Sequence, residues 1–491
     1  MTPVPRLRAL FLTFVLPLAL GAVTAFGFAP FYLFPIPVLA LAVFYRTLDG
    51  LDARAGFRHG FVFGMGWFLA GVSWVYVSMH DVGGMNLPLA VLATLLFAAV
   101  LAFFPALACG LAARWPMPTG LGALLGFPAL WALTEWLRGW MFTGLPWQAL
   151  GYSQAPYGPL SGYAPILGIY GVSWLAALSA VGIARLQARP LVVVAVIWAA
   201  GLVLQTVAWT RPVGVPVSVS LLQGNIPQDL KFRPERLTET LVSYGRMVMD
   251  SDSRLIVLPE TAFPLFRKDI PPDYLQQLGD HAVSLGGDLL FGVPESDADG
   301  SYYNAVESLG SSAPQHYRKV HLVPFGEFVP YGFRWLVNAM NIPLGDFSRG
   351  RPDQPPINVA GQKVAMNICY EDVFGEELIY ALPAATLMAN VSNDAWFGDS
   401  FAPWQHLQIA QMRALETGRW WLKDNNTGIT AVLDEKGQVV TRLAPFTAGT
   451  LNSEVQGMAG ATPYVRWGNR AFLALSLLSL LLVVWLKRRT R

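Results

Sequence analysis

Charge is scarce in this 491-residue chain: 13% of its residues are Asp, Glu, Lys or Arg, about half the share of an average soluble domain. A mean hydropathy of +0.42 accompanies that scarcity. Together they exclude a disordered chain and a plain cytosolic enzyme. Cysteine is scarcer still, with two residues, which excludes a disulfide-rich secreted scaffold. No H-x-x-x-H, no C-x-x-C and no carboxylate cluster suggests a metal, so neither metal nor cofactor is called for.

The few charges are unevenly placed. Residues 212–466 hold 28 of the 32 acidic and 19 of the 34 basic side chains, a net charge of −9, and the remainder carries +11. An acidic insert interrupts a basic, apolar chain. The negative insert would repel phosphate, which excludes a nucleic-acid reader.

Apolar stretches near the 20 residues that cross a bilayer core run over about 10–27, 29–45, 59–78, 87–112, 120–137, 163–184 and 190–209, with an eighth at 469–486. Pro30, Pro35 and Pro37 crowd the second, so the first pair can also form a re-entrant hairpin. The first stretch resembles a signal peptide cut near Gly27, but removing it would spoil the alternation of charge, and a retained helix is expected. Basic residues collect in alternate connections: Arg6 and Arg8; Arg46, Arg54 and Arg58; Arg114; Arg185 and Arg189; and Lys487, Arg488, Arg489 and Arg491. By the positive-inside rule these lie on the cytoplasmic side, which places the insert on the opposite face. The expected domains are seven membrane helices over 1–211, an exported domain over 212–466, and a last helix with a basic cytoplasmic tail over 467–491. Glu135 and Arg138, three apart near a helix end, read as a local ion pair.

Within the insert, short β-branched runs alternate with helix-period stretches. Strands are expected at 217–222, 255–258, 288–293, 305–309, 364–368, 386–391 and 428–433, and helices at 234–249, 272–285, 374–381 and 403–418. This alternation predicts a layered α/β sandwich. Cys109, inside a membrane helix, packs as a small hydrophobe. Cys369 ends the apolar run 364–368 and precedes Tyr370-Glu371-Asp372. From position alone it is either a nucleophile served by backbone N–H donors at a strand-to-helix junction or a core cysteine. A nucleophilic thiol needs a base or a cation beside it. His281, His316, His321 and His406 show no cysteine-protease context. Glu260 follows an apolar strand at once, a costly place for an idle charge. Lys319 is flanked by apolar and turn residues in Tyr317–Glu327.

An acid after L-P-E, a lysine in R-K-x-H-L-x-P-F-G-E and a cysteine in N-I-C-Y-E-D, in that order, resemble the Glu-Lys-Cys triad of the carbon–nitrogen hydrolase (nitrilase) superfamily. The flanking Gln223–Gln228 and Ser392–Gly398, with membrane segments on both sides, narrow the resemblance to the apolipoprotein N-acyltransferase family. It implies a multi-pass helical membrane domain carrying a nitrilase-like αββα sandwich on the periplasmic face of a bacterial inner membrane. It also implies transfer of an acyl chain from a phospholipid to the amine of an S-diacylglyceryl-cysteine lipoprotein. Carried over residue by residue, Cys369 is the nucleophile, Glu260 the general base and Lys319 its electrostatic partner, with Glu327, Tyr370 and Glu371 in support. Shielding a thioester from water needs an apolar cover, for which 328–337 has the composition, as it has for a packed hairpin. Two other functions stay open: a membrane-anchored amidase or nitrilase acting on a small C–N substrate, and a non-enzymatic transporter or receptor with a nitrilase-like binding domain.

Overall fold

The computed structural model describes residues 10–115, 120–332, 334 and 346–489, so Arg6, Arg8, Arg491 and much of the 328–337 segment lie outside the described residues. Two compact units emerge. One comprises residues 1–208, 397–416 and 462–491, the other 209–396 and 417–461.

In the first unit all eight apolar stretches are helical. Phe11–Gly27, Pro35–Arg46 and Ala188–Leu204 are short; Leu87–Arg114, Pro159–Ala184 and Arg470–Arg489 are long and apolar enough to cross a membrane, and Ala53–Gly71 with Trp74–Val82 forms a fourth, bent by 54°. Leu121–Arg138 completes the set. The second helix starts at Pro35 rather than at residue 29, because proline, lacking an N–H, fits a helix start. The side chain of Asp52 caps the third helix by accepting from Ala55 N–H. A Cβ on Gly60 or Gly64 would collide with backbone at Pro105, Ala106 and Ala102. Small residues at this spacing let two membrane helices approach closely, and fully buried Cys109 fills the same seam.

The helix Ala402–Thr417, expected in the α/β domain, groups up to Glu416 with the membrane helices instead. Its glutamines serve polar groups where helices break. Gln405 Oε1 accepts from Trp74 Nε1 at 3.2 Å and Trp147 Nε1 at 2.7 Å, while its Nε2 donates to Gly71 O. Gln408 Oε1 accepts from Ala29 N–H, and Glu416 from Ile169 N–H beside the break at Gly168. Broken helices are tolerated at membrane depth when side chains re-satisfy the freed backbone in this way. Glu135 accepts from Trp131 Nε1 and Leu150 N–H, whereas Arg138 donates to the carbonyls of Leu145 and Trp147. Both residues thus brace the 145–150 loop, a role that spacing alone does not reveal.

The second unit is built on two six-stranded sheets. A small ladder pairs β1 (Arg211–Pro212) with β14 (Met458–Ala459). The first sheet contains β2 (Val217–Gln223), β3 (Leu255–Val257), β4 (Asp288–Ser296), β5 (Tyr302–Gly310), β6 (His316–Arg318) and β13 (Gly449–Val455), in the order β13-β2-β3-β4-β5-β6. The second contains β7 (Ile357–Val359), β8 (Gln362–Ile368), β9 (Leu387–Ser392), β10 (Trp421–Asn425), β11 (Ala431–Leu433) and β12 (Val439–Arg442), in the order β12-β11-β10-β9-β8-β7. Strands β2, β3 and β4 run parallel, as do β8, β9 and β10. Alternate residues such as Val217, Val219 and Leu221 meet Val364, Met366 and Ile368 in one buried core, the period of two that a face-packed strand imposes. On the outer face of the first sheet, Leu222, Ile256 and Leu289 pack against Tyr244, Val248, Leu275 and Leu278, which lie in the amphipathic helices Pro234–Met249 and Pro272–Ser284.

Candidate active site

The functional candidates follow strand ends: Glu260 and Cys369 those of parallel strands, where α/β sheets open a crevice, and Lys319 that of an antiparallel edge strand. Glu260 comes after β3, Lys319 after β6 and Cys369 after β8. The Glu260 loop can lie against β4 because position 292 has no side chain: a Cβ there would stand 2.3 Å from Pro259 O and 2.4 Å from Thr261 N. Leu258 N–H and Phe263 N–H bond Leu290 O and Gly292 O and hold the loop. Lys319 N–H donates to Asn304 O in β5, and Lys319 O accepts from Gly350 N–H.

Lys319 is 1% exposed, and its ammonium lies between two carboxylates, 2.8 Å from Glu327 Oε1 and 3.4 Å from Glu260 Oε1. Asn304 Nδ2 bridges the same two oxygens, at 2.7 Å from Glu260 and 3.0 Å from Glu327. Glu327 is anchored by Val323 N–H, which donates to its Oε2. Burial works against the Lys319 charge, but Glu327 and Glu260, with Cys369, outweigh it and hold the ammonium above its ordinary range.

Cys369 has φ +53°, a left-handed conformation uncommon for a side-chain-bearing residue. It opens a turn over Cys369–Val373 directly after β8. Asn390 Nδ2 donates to the Cys369 carbonyl at 3.0 Å. Lys423, itself paired with Asp372 at 3.2 Å, donates to Asn390 Oδ1. Burial raises the thiol pKa; Glu260 raises it further, and Lys319 pulls it down. The upward shift favours the thiol form, from which the sulfur could act as a nucleophile only with a base to take its proton.

Glu371 acts as a strap. Its carboxylate accepts from Ile368 N–H at 2.6 Å, Val320 N–H at 2.6 Å, His321 N–H at 3.1 Å and the Tyr317 hydroxyl at 3.0 Å. The residue before Cys369 is thereby tied to the residues after Lys319. Burial pushes this carboxyl up to about 7, against the pull of Lys319 and the three backbone donors. The Tyr370 ring meets Phe374 edge-on at 5.1 Å and His321 at 5.8 Å. The histidines have other partners: His321 Nδ1 is 3.0 Å from Glu377, His281 bonds Ser251 O, His316 pairs with Glu295, and His406 lies against Trp147 in the helical unit.

Residues 20–182 match the apolipoprotein N-acyltransferase N-terminal domain, and residues 218–464 match the carbon–nitrogen hydrolase domain. An apolipoprotein N-acyltransferase of Nitrosomonas europaea is 52% identical, over 93% of this chain and 94% of its own length. The chain belongs to the apolipoprotein N-acyltransferase family. A relative of the same name from Ralstonia nicotianae is 45% identical over 99% of this chain and 95% of its own. Among solved structures, a carbon–nitrogen hydrolase from Helicobacter pylori aligns with 49% of this chain and 88% of its own at 17% identity and a TM-score of 0.36. The helical half and the α/β half of the family are both present, so the sandwich is a carbon–nitrogen hydrolase fold borne by a membrane protein.

Sequence reasoning had singled out Glu260, Lys319, Cys369, Glu327, Tyr370 and Glu371, and all six lie on the loops just described. It missed Asn304, Asn390 and Lys423. Each sits inside a strand or directly beside its register partners. Only Asn390 carried a signal, as a polar residue inside the apolar run of β9; β5 and β10 hold several polar residues each, and nothing in them marks Asn304 or Lys423.

Proposed function

We propose that this protein transfers an acyl chain from a membrane phospholipid, through a thioester on Cys369, to the N-terminal amine of an S-diacylglyceryl-cysteine apolipoprotein. Family membership makes it an N-acyltransferase of lipoprotein maturation; the donor, the residues and the two-step route are our inference. The observation that carries them is the Lys319 ammonium held between Glu260 and Glu327, with Cys369 in electrostatic reach of all three.

In the first step Glu260 takes the thiol proton as sulfur attacks the ester carbonyl and the C–S bond forms. The tetrahedral oxyanion is stabilised by the Lys319 ammonium and Tyr370 N–H. The C–O bond to the glycerol breaks, and protonated Glu260 gives its proton to the departing lysophospholipid alkoxide. In the second step the lipoprotein amine attacks the thioester and loses a proton to Glu260, the amide forms, and the sulfur regains its proton. This is a ping-pong scheme.

Both substrates carry acyl chains, which accounts for a membrane half built from seven N-terminal helices over 1–211 and one over 467–491. The basic connections favour an inner-membrane orientation with the catalytic domain, 212–466, on the periplasmic side.

Intact-mass spectrometry of the full-length protein tests this. Incubation with phospholipid should add one fatty-acyl mass that hydroxylamine removes, and Cys369→Ala should abolish it. Acyl transfer to the lipoprotein by Cys369→Ala, or turnover of small amides with no adduct, would overturn the proposal.

A further inference from the structure

Lys231 belongs to no motif discussed so far, yet it is one of the most deeply placed cations of the α/β unit. It ends the short helix Gln228–Lys231 and is 2% exposed. Its Nζ donates to the main-chain carbonyl of Glu260 at 2.9 Å. Among the described residues it makes no ion pair. The segment before it is anchored: Asn225 N–H bonds Asn426 O, Ile226 N–H bonds Asn426 Oδ1, and Gln228 Oε1 accepts from Asn393 Nδ2. These contacts explain the 223–228 motif as a brace that delivers Lys231 to the site.

Lysine is rarely buried unless paired, and burying an ammonium against one neutral carbonyl is costly. A serine or asparagine could bond that carbonyl without the cost, so the charge needs a reason. The triad region supplies one. Lys319 faces two carboxylates, Glu260 and Glu327, leaving a net negative charge before any oxyanion forms. Asp394 also raises the Cys369 thiol, and Glu371 adds a further acid. Once the thiol proton has moved to Glu260, Glu327 and the oxyanion require two cations for balance.

We propose that Lys231 is a positioning residue of this site, fixing the main chain at Glu260 and supplying a second positive charge that favours ionisation at Cys369. This rests on the triad reading above. Burial lowers the Lys231 ammonium to about 8, while Glu260 and Cys369 raise it. Cys369 and Lys319 are both displaced upward and Glu371 titrates lower, at about 7, so the positive charge lost just above neutrality is that of Lys231.

The test is single-turnover acylation of Cys369 by phospholipid in the full-length protein, followed by intact mass from pH 6 to 10. This half-reaction involves no acceptor amine whose own titration would intrude. Wild type should slow above about pH 8. Lys231→Met should be about ten- to a hundredfold slower, somewhat less than loss of a direct oxyanion donor, with no alkaline limb. Lys231→Arg should keep most of the rate and move the limb up by more than a pH unit. Wild-type rate and limb in Lys231→Met overturn the inference, as does a wild type with no limb between pH 7.5 and 9, a readout that needs no variant to fold. Cys369→Ala and Glu260→Gln run alongside: if they acylate normally the triad reading fails, and if they are dead while Lys231→Met is normal only the Lys231 inference fails.

Discussion

Lys319 stands closer to Glu327 than to Glu260, 2.8 Å against 3.4 Å. The shorter contact makes Glu327 the main counter-ion of the ammonium and leaves Glu260 less committed, as the role of base proposed for it requires. Glu327→Gln can keep the acceptor for Lys319 and Asn304 but loses the one for Val323 N–H, and it removes the counter-ion charge, so that Lys319 is left to pair with Glu260 alone. Acylation of Cys369 is expected to fall by about 10², with a folded protein, in the single-turnover mass assay.

Asn304 bridges Glu260 and Glu327 through one amide nitrogen. Asn304→Asp replaces that donor with a third carboxylate, and like charge disfavours ionisation of its neighbours. The acid limb of the pH–rate profile should move to higher pH than in wild type. Asn304→Leu removes the donor without adding a charge and should move the limb upward by less than the aspartate; an unmoved limb in the aspartate variant would show that Asn304 does not report on Glu260.

Glu371 is held at about 7 in the folded protein, above its ordinary 4.5. Because the folded pKa is raised, its contribution to stability is fully present below about 4.5 and is lost as pH rises to about 7. At the usual 1.4 kcal/mol per unit this is of order 3 kcal/mol. Glu371→Gln carries no titrating proton, so the difference in thermal midpoint between the two proteins should change across pH 4.5–7 and be constant outside it.

Asp372 and Lys423 form a pair in which neither side chain is exposed. Removing one partner strands a buried charge, at a cost of about 3–5 kcal/mol. Lys423→Met should therefore be markedly less stable than wild type, and Asp372→Asn with Lys423→Met should recover much of the loss. Denaturation in detergent of both singles and the double measures the coupling, and strict additivity would show that the pair is not a unit.

The sequence alone determined the class of each half. Apolar length marks a membrane helix and β-branched alternation marks a half-buried strand, and both follow from local solvation. It also singled out Glu260, Lys319 and Cys369 as candidates, through three ordered motifs that resemble the carbon–nitrogen hydrolase triad; position alone left Cys369 as either a nucleophile or a core cysteine. Only the tertiary structure decided the rest. The amphipathic pattern of residues 402–417 specifies a helix but not the surface it covers, and its glutamines answer to breaks at Gly71, Ala29 and Ala155 that lie hundreds of residues away. Strand β10 (Trp421–Asn425) is fully buried, and its Lys423 and Asn425 meet Asp372, Asn390 and Asp394, which are distant in the chain. Lys231 likewise reads as an ordinary surface lysine until β3 brings the Glu260 carbonyl to its ammonium. Hydrophobic period is a property of neighbours in the chain, whereas the pairing of a buried charge is a property of neighbours in space, and only folding creates those.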